Sequence, residues 1–112
     1  MILVTGPLFS GKTDFARTLL PEGADFAESV CTDAQNLAAE CTDLPALADE
    51  LAGRYAIVTV TEVGGGVVPV DPAQRAAREA AGRLGCLLAA RADTVVRVFC
   101  GLPLVLKGDL SQ

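Results

Sequence analysis

Residues 6–13 read GPLFSGKT and directly follow the apolar run ILVT at positions 2–5. The octet fits the spacing G-x-x-x-x-G-K-[ST], and its flanks decide how it is read. Residues 2–5 have the short, β-branched character of a buried strand, ended by Gly6. Residues 12–20 have helical spacing, with Phe15, Ala16, Leu19 and Leu20 on one apolar face. Pro21 stops that helix, because proline cannot continue the hydrogen-bond ladder. Gly6 and Gly11 permit a turn in which backbone N–H groups converge on one anion. The positive end of the following helix adds to the same field. On this reading Gly6, Pro7, Leu8, Phe9, Ser10 and Gly11 cradle the phosphates of a nucleotide. Lys12 reaches the β- and γ-oxygens, and the Thr13 hydroxyl ligates Mg²⁺. The plainer alternative is a strand-to-helix turn with a surface lysine, which needs no ligand.

Further along, residues 25–31 form a weaker second strand signal. Asp33 could cap a helix over residues 33–41, and residues 44–52 suggest another, with Leu47, Ala48 and Leu51 on one side. The two could equally be one helix kinked at Pro45. Residues 56–63, AIVTVTEV, are almost wholly β-branched and read as a strand. A loop, GGGVVPV, follows. Asp71 and Pro72 then start a helix: an N-cap oxygen, followed by a proline whose missing N–H costs nothing in the first turn. That helix runs to Arg91, with Ala77, Ala80, Ala81, Leu84 and Leu88 inward. Gly82 and Gly85 each weaken it by roughly 1 kcal/mol relative to alanine, which suggests close packing there. Residues 93–100, DTVVRVFC, are the last strand, ended by Gly101.

Strands alternating with helices imply the α/β class: a small nucleotide-binding-type parallel sheet of about three to five strands, covered by helices on both faces. No repeat, linker or low-complexity segment divides residues 1–112, so one domain is expected. A sheet this small leaves an edge for another subunit to close, so a homo-oligomer is expected.

Composition narrows the function classes. Hydrophobic residues make up 51% of the 112 and aromatics only 4%, so the core is aliphatic and the chain is not disordered. No apolar stretch approaches the roughly 18 residues of a membrane helix, and no export signal is visible, which points to the cytoplasm. The net charge of -5 without a basic cluster argues against nucleic acid as partner. Cys31, Cys41, Cys86 and Cys100 show no CxxC spacing, and buried thiols in a reducing compartment are expected. The chain has 0 histidines. That rules out Ser–His, Cys–His and phosphohistidine mechanisms, and leaves no histidine to complete a zinc site.

A Mg²⁺ site also wants an acid at a neighbouring strand tip. Glu62, at the carboxyl end of AIVTVTE, is the first candidate and Asp33 the second. Three successive glycines, Gly64 to Gly66, suggest close backbone approach to a ligand or only a turn. Arg75 and Arg78 lie one helical turn apart and either clamp an anion by bidentate bonds or face solvent.

Several stretches, in order, resemble one family. They are MILVTG and SGK, then TEVGGGVVP, R-x-x-R-E-x-A-G-R-L, AD-x-V-x-R-V and CGLPLVLK. Over about residues 1–20 and 55–107 they are similar to the adenosylcobinamide kinase/adenosylcobinamide-phosphate guanylyltransferase family of cobalamin biosynthesis. The resemblance implies ATP or GTP as substrate, Mg²⁺, and a corrinoid acceptor, adenosylcobinamide. Lys12, Glu62, Arg75 and Arg78 are then the residues of catalysis, and Thr13 and Glu62 hold the metal. In the family, guanylyl transfer resembles a ping-pong reaction through a histidine–GMP adduct, which this chain cannot form. The family's middle section is replaced by residues 21–54, short and acidic. Thr61 replaces the asparagine before the glutamate, Gly85 and Cys86 replace an Asn-Gln pair, and Cys100 replaces a serine. The expectation is a P-loop phosphotransferase of cobinamide. A nucleotide-binding remnant without catalysis, or a small kinase for another acceptor, are the alternatives.

Overall fold

A computed structural model describes residues 1–62 and 71–110 of the chain. Its elements are β1 (Ile2–Gly6), α1 (Lys12–Thr18), α2 (Phe26–Ser29), β2 (Val30–Cys31), α3 (Gln35–Ala38) and α4 (Leu44–Arg54). β3 (Ile57–Thr61), α5 (Pro72–Arg91), β4 (Thr94–Phe99) and β5 (Leu102–Lys107) complete them. The strands form a five-stranded sheet in the order β2-β3-β1-β4-β5. β1, β2, β3 and β4 run parallel, and β5 returns antiparallel beside β4. The α/β class and the helices on both faces are as the sequence predicts.

Strand alternation builds two cores, because successive side chains leave the sheet on opposite faces. Leu3, Val58, Val60 and Val95 pack on one face against α3, α4 and α5, through Ala34, Ala38, Leu51, Leu84 and Leu88. Val4, Ile57, Val96 and Val98 pack on the other face against Ala16 of α1, with Phe15, Leu19 and Phe26 at the margin. Both cores are aliphatic. β1 and β3 are neighbours, and the helices that follow their carboxyl ends, α1 and α5, lie on opposite faces of the sheet. It is at such carboxyl ends that open α/β sheets form a crevice.

Several local expectations are corrected by hydrogen bonds that composition does not reveal. The segment expected as a strand over residues 25–31 yields only a two-residue strand. Asp25 instead caps α2, its Oδ1 accepting from the N–H groups of Ala27 at 2.9 Å and Glu28 at 3.3 Å. Asp33 caps nothing: its φ of 53° lies in the left-handed region, and α3 starts two residues later. Pro45 does not kink a long helix. It lies in the first turn of α4, which Asp43 caps through Ala46 N–H at 3.1 Å. Asp71 caps α5 as expected, accepting from Ala73 N–H at 2.9 Å.

The strand expected over residues 93–100 is not the last: β4 ends at Phe99 and Gly101 belongs to a hairpin turn into β5. Cys100 at φ 51° and Gly101 at φ 74° make the turn into β5, a strand with every residue exposed. Gly82 and Gly85 do not serve close packing: among the described residues, no atom comes within 4 Å of a Cβ built at either. The cysteines are free, but Cys86 and Cys100 are exposed and Cys31 and Cys41 only half-buried, so the expected buried thiols are not found. Partial burial still pushes the Cys31 thiol up. Val63 and the three glycines at 64–66 lie outside the described residues. Among the described residues, no helix is long and apolar enough to cross a membrane.

Candidate functional site

The carboxyl end of β1 is crowded. The Gly6 carbonyl accepts the Glu62 N–H at 2.9 Å. A Cβ at Gly6 would stand 2.6 Å from Ser10 Oγ and run into the Val98 carbonyl. The chain therefore leaves the strand as glycine and curls over residues 7–11. Ser10 N–H donates to the Pro7 carbonyl at 3.2 Å, and Phe9, at φ 61°, throws its ring into solvent, 93% exposed. Gly11 takes φ 89°, a backbone that an L side chain resists. Its flank is also occupied, since a Cβ there would lie 3.3 Å from the Cα of Gly101. The hairpin turn braces the loop directly: Gly101 N–H donates to the Ser10 carbonyl at 2.8 Å.

This curl buries two polar side chains. Lys12 is only 6% exposed, and its Nζ reaches the Pro7 carbonyl in a long 3.5 Å contact. Among the described residues no carboxylate pairs with it. Ser10 is 4% exposed, and its Oγ finds no hydrogen-bond partner there. Both line a cavity of about 380 Å³ whose wall also holds Gly11, Thr13, Asp33 and Thr61. The first N–H groups of α1 open beside it, without intrahelical partners.

Asp33 reaches this cavity from the end of β2 through a small network. Its N–H donates to Thr59 Oγ1 at 3.0 Å, and Thr61 Oγ1 donates to its Oδ1 at 2.8 Å. Gln35 closes the network, accepting the Thr61 N–H on Oε1 at 3.0 Å. The Asp33 carboxylate is thereby held by one oxygen, and its Oδ2 has no partner among the described residues.

Glu62, the first-choice acid of the sequence reading, is elsewhere. Thr59 and Thr61 leave β3 toward the α1 side, and alternation turns Glu62 to the α5 side. There Arg97 of β4 grips it, Nε to Oε1 at 2.9 Å and Nη2 to Oε2 at 3.2 Å. Glu62 lines a different cavity, of about 290 Å³, with Thr61, Ala81, Gly82 and Gly85. Arg78 lines a third, of about 280 Å³, between α3 and α5. Neither Arg75 nor Arg78 lines the Lys12 cavity. Of the residues the sequence predicts, the Lys12 cavity brings together Leu8, Phe9, Ser10, Gly11, Lys12, Thr13 and Asp33, the second-choice acid, whereas Glu62 lies at another cavity. Thr61 reads in the sequence only as a replacement for an asparagine, and Gln35 and Arg97 carry no signal of a role. The signal for Thr61 was present in the alternating AIVTVTE run.

A family model described as cobinamide kinase / cobinamide phosphate guanyltransferase matches residues 24–106. The matched span holds β2 through most of β5 and begins after the 6–13 loop, so that loop stands on its own geometry. No curated protein matches the chain.

Proposed function

Because the chain belongs to the cobinamide kinase / cobinamide phosphate guanyltransferase family, we propose that it carries the kinase half of that pair. It binds ATP or GTP around Lys12 and transfers the γ-phosphoryl to the hydroxyl of adenosylcobinamide. The observation that carries this reading is the Lys12 ammonium, nearly buried at the wall of a cavity yet without a carboxylate partner among the described residues. A buried cation is costly unless an anion joins it, and a polyphosphate supplies one.

The residues of the cavity fit Mg²⁺ as well. Thr13 and Asp33 offer hard oxygens, and this ion takes one or two protein ligands and completes its shell with water and phosphate oxygens. When bound it neutralises charge on the β- and γ-phosphate oxygens. The chain's own part is positioning. The 6–13 backbone holds the polyphosphate and Lys12 draws the γ-phosphoryl into line. In the transfer, the acceptor oxygen bonds to phosphorus and gives up its proton to solvent, while the bond to the bridging oxygen breaks and the nucleoside diphosphate leaves. A loose transition state of this kind needs orientation and charge neutralisation above all.

Guanylyl transfer through a histidine adduct is closed to this chain, which has 0 histidines. The protein acts in the cytoplasm as a homo-oligomer, the exposed edge strand β5 offering the contact. A second reading, nucleotide binding without catalysis, is favoured by the Arg97 grip on Glu62, which occupies that acid in an ion pair. Incubation with γ-labelled ATP or GTP, Mg²⁺ and cobinamide separates the two. Labelled corrinoid is the expected product, with no GMP left covalently on the protein from α-labelled GTP. Nucleotide binding without transfer would favour the second reading, and absence of binding would overturn both.

A further inference from the structure

Three cavities share lining residues, from the 6–13 loop past the tip of β3 to the space between α3 and α5. Thr61 borders both the Lys12 cavity and the one beside Glu62. Ala81 borders both that second cavity and the one between α3 and α5. Together they make a furrow that runs from Lys12 over the tip of β3 onto the helices.

The far end of the furrow has its own chemistry. Gln35, Asn36 and Gln74 bring three carboxamides to it, and Arg78 a guanidinium, over a floor of alanines. Among the described residues no acid lines that cavity. The Gln35 carboxamide is committed to the near end, its Oε1 accepting the Thr61 N–H at 3.0 Å and its Nε2 donating to Asp33 Oδ1 at 3.5 Å. The carboxamides of Asn36 and Gln74, by contrast, have no partner among the described residues. A carboxamide offers two donors and one acceptor oxygen, so a group of them complements another neutral amide surface better than it does an ion. In the middle of the furrow, Gly82 and Gly85 keep space open at a cost to the helix that no packing contact among the described residues repays.

We propose that this furrow seats the phosphoryl acceptor: a molecule bearing neutral carboxamides bound by Asn36, Gln74 and Arg78, its hydroxyl reaching past Thr61 toward Lys12. The proposal rests on the kinase reading given above and adds the acceptor's seat. Binding and reaction would then be divided between two ends of one groove, with the shared strand tip between them.

The test uses the whole chain and cobinamide itself, titrated by the change in its visible absorption with a non-hydrolysable Mg²⁺–nucleotide present. Asn36→Leu and Gln74→Leu should each weaken cobinamide binding about three- to tenfold, as expected for a lost hydrogen bond of this kind. Nucleotide binding should stay unchanged. Ala77→Leu, which fills the furrow without removing a polar group, should weaken cobinamide binding too, and a melting curve for each variant confirms folding. Equal cobinamide affinity in all three variants would overturn the proposal, as would failure of the unmodified chain to bind cobinamide. Failure of the kinase reading shows differently, as absence of nucleotide binding in the unmodified chain.

Discussion

Thr61 and Glu62 are neighbours on one strand tip, yet they serve two unlike places. On the Thr61 side the 6–13 loop hides an ammonium without a carboxylate and a hydroxyl without a hydrogen-bond partner among the described residues. On the Glu62 side the charges are solvated and already matched, with Arg97 and Glu62 both partly exposed. The residue types are alike on the two sides, but the first arrangement is incomplete until an anion arrives and the second is satisfied without one. Burial separates a binding group from a surface ion pair.

The contrast is most open to attack at Lys12. At nucleotide concentrations of about 100 Kd, binding should stabilise the protein by on the order of 2.7 kcal/mol, or roughly 10 °C in Tm. Lys12→Ala should show no such shift. It should also melt no lower than the parent without nucleotide, because it removes a buried, uncompensated charge. An unchanged nucleotide shift in the variant would undo the assignment. Next in size are the glycines of the two sides. Gly11→Ala, forced to φ 89° against Gly101, should lose about 1–2 kcal/mol in urea denaturation. Gly82→Ala, in open helical space, should gain up to about 1 kcal/mol. The same change with opposite signs would separate a required turn from a tolerated gap. Smallest is Arg97→Ala. The denaturation midpoint should hardly move, and any difference should fade in high salt, as for other exposed pairs. A large loss would mean the Glu62 side is as interdependent as the Lys12 side.

Much of this was legible in the residues alone. The β-branched runs located β1, β3 and β4, and Asp71 with Pro72 located the start of α5. The missed features share a cause: they depend on which group a polar side chain bonds. Asp25 reads as part of a strand until its carboxylate is seen accepting two helix N–H groups. Asp33 ranks below Glu62 until Thr59 and Thr61 are seen holding it against the Lys12 cavity. Gly82 and Gly85 report only that a side chain is missing, and among the described residues no close packing explains them. Gly101 reads as a stop until two successive positive φ values, at Cys100 and Gly101, are seen to make a corner into β5.

The hydrogen bond from Gly101 to Ser10 joins segments almost the whole chain apart. The phosphate-gripping curl is therefore written near the beginning of the molecule but cannot take its final shape until the end has been built and folded back. During synthesis the curl would mature late, and a break in the distal corner would be felt first as slackness at the opposite terminus.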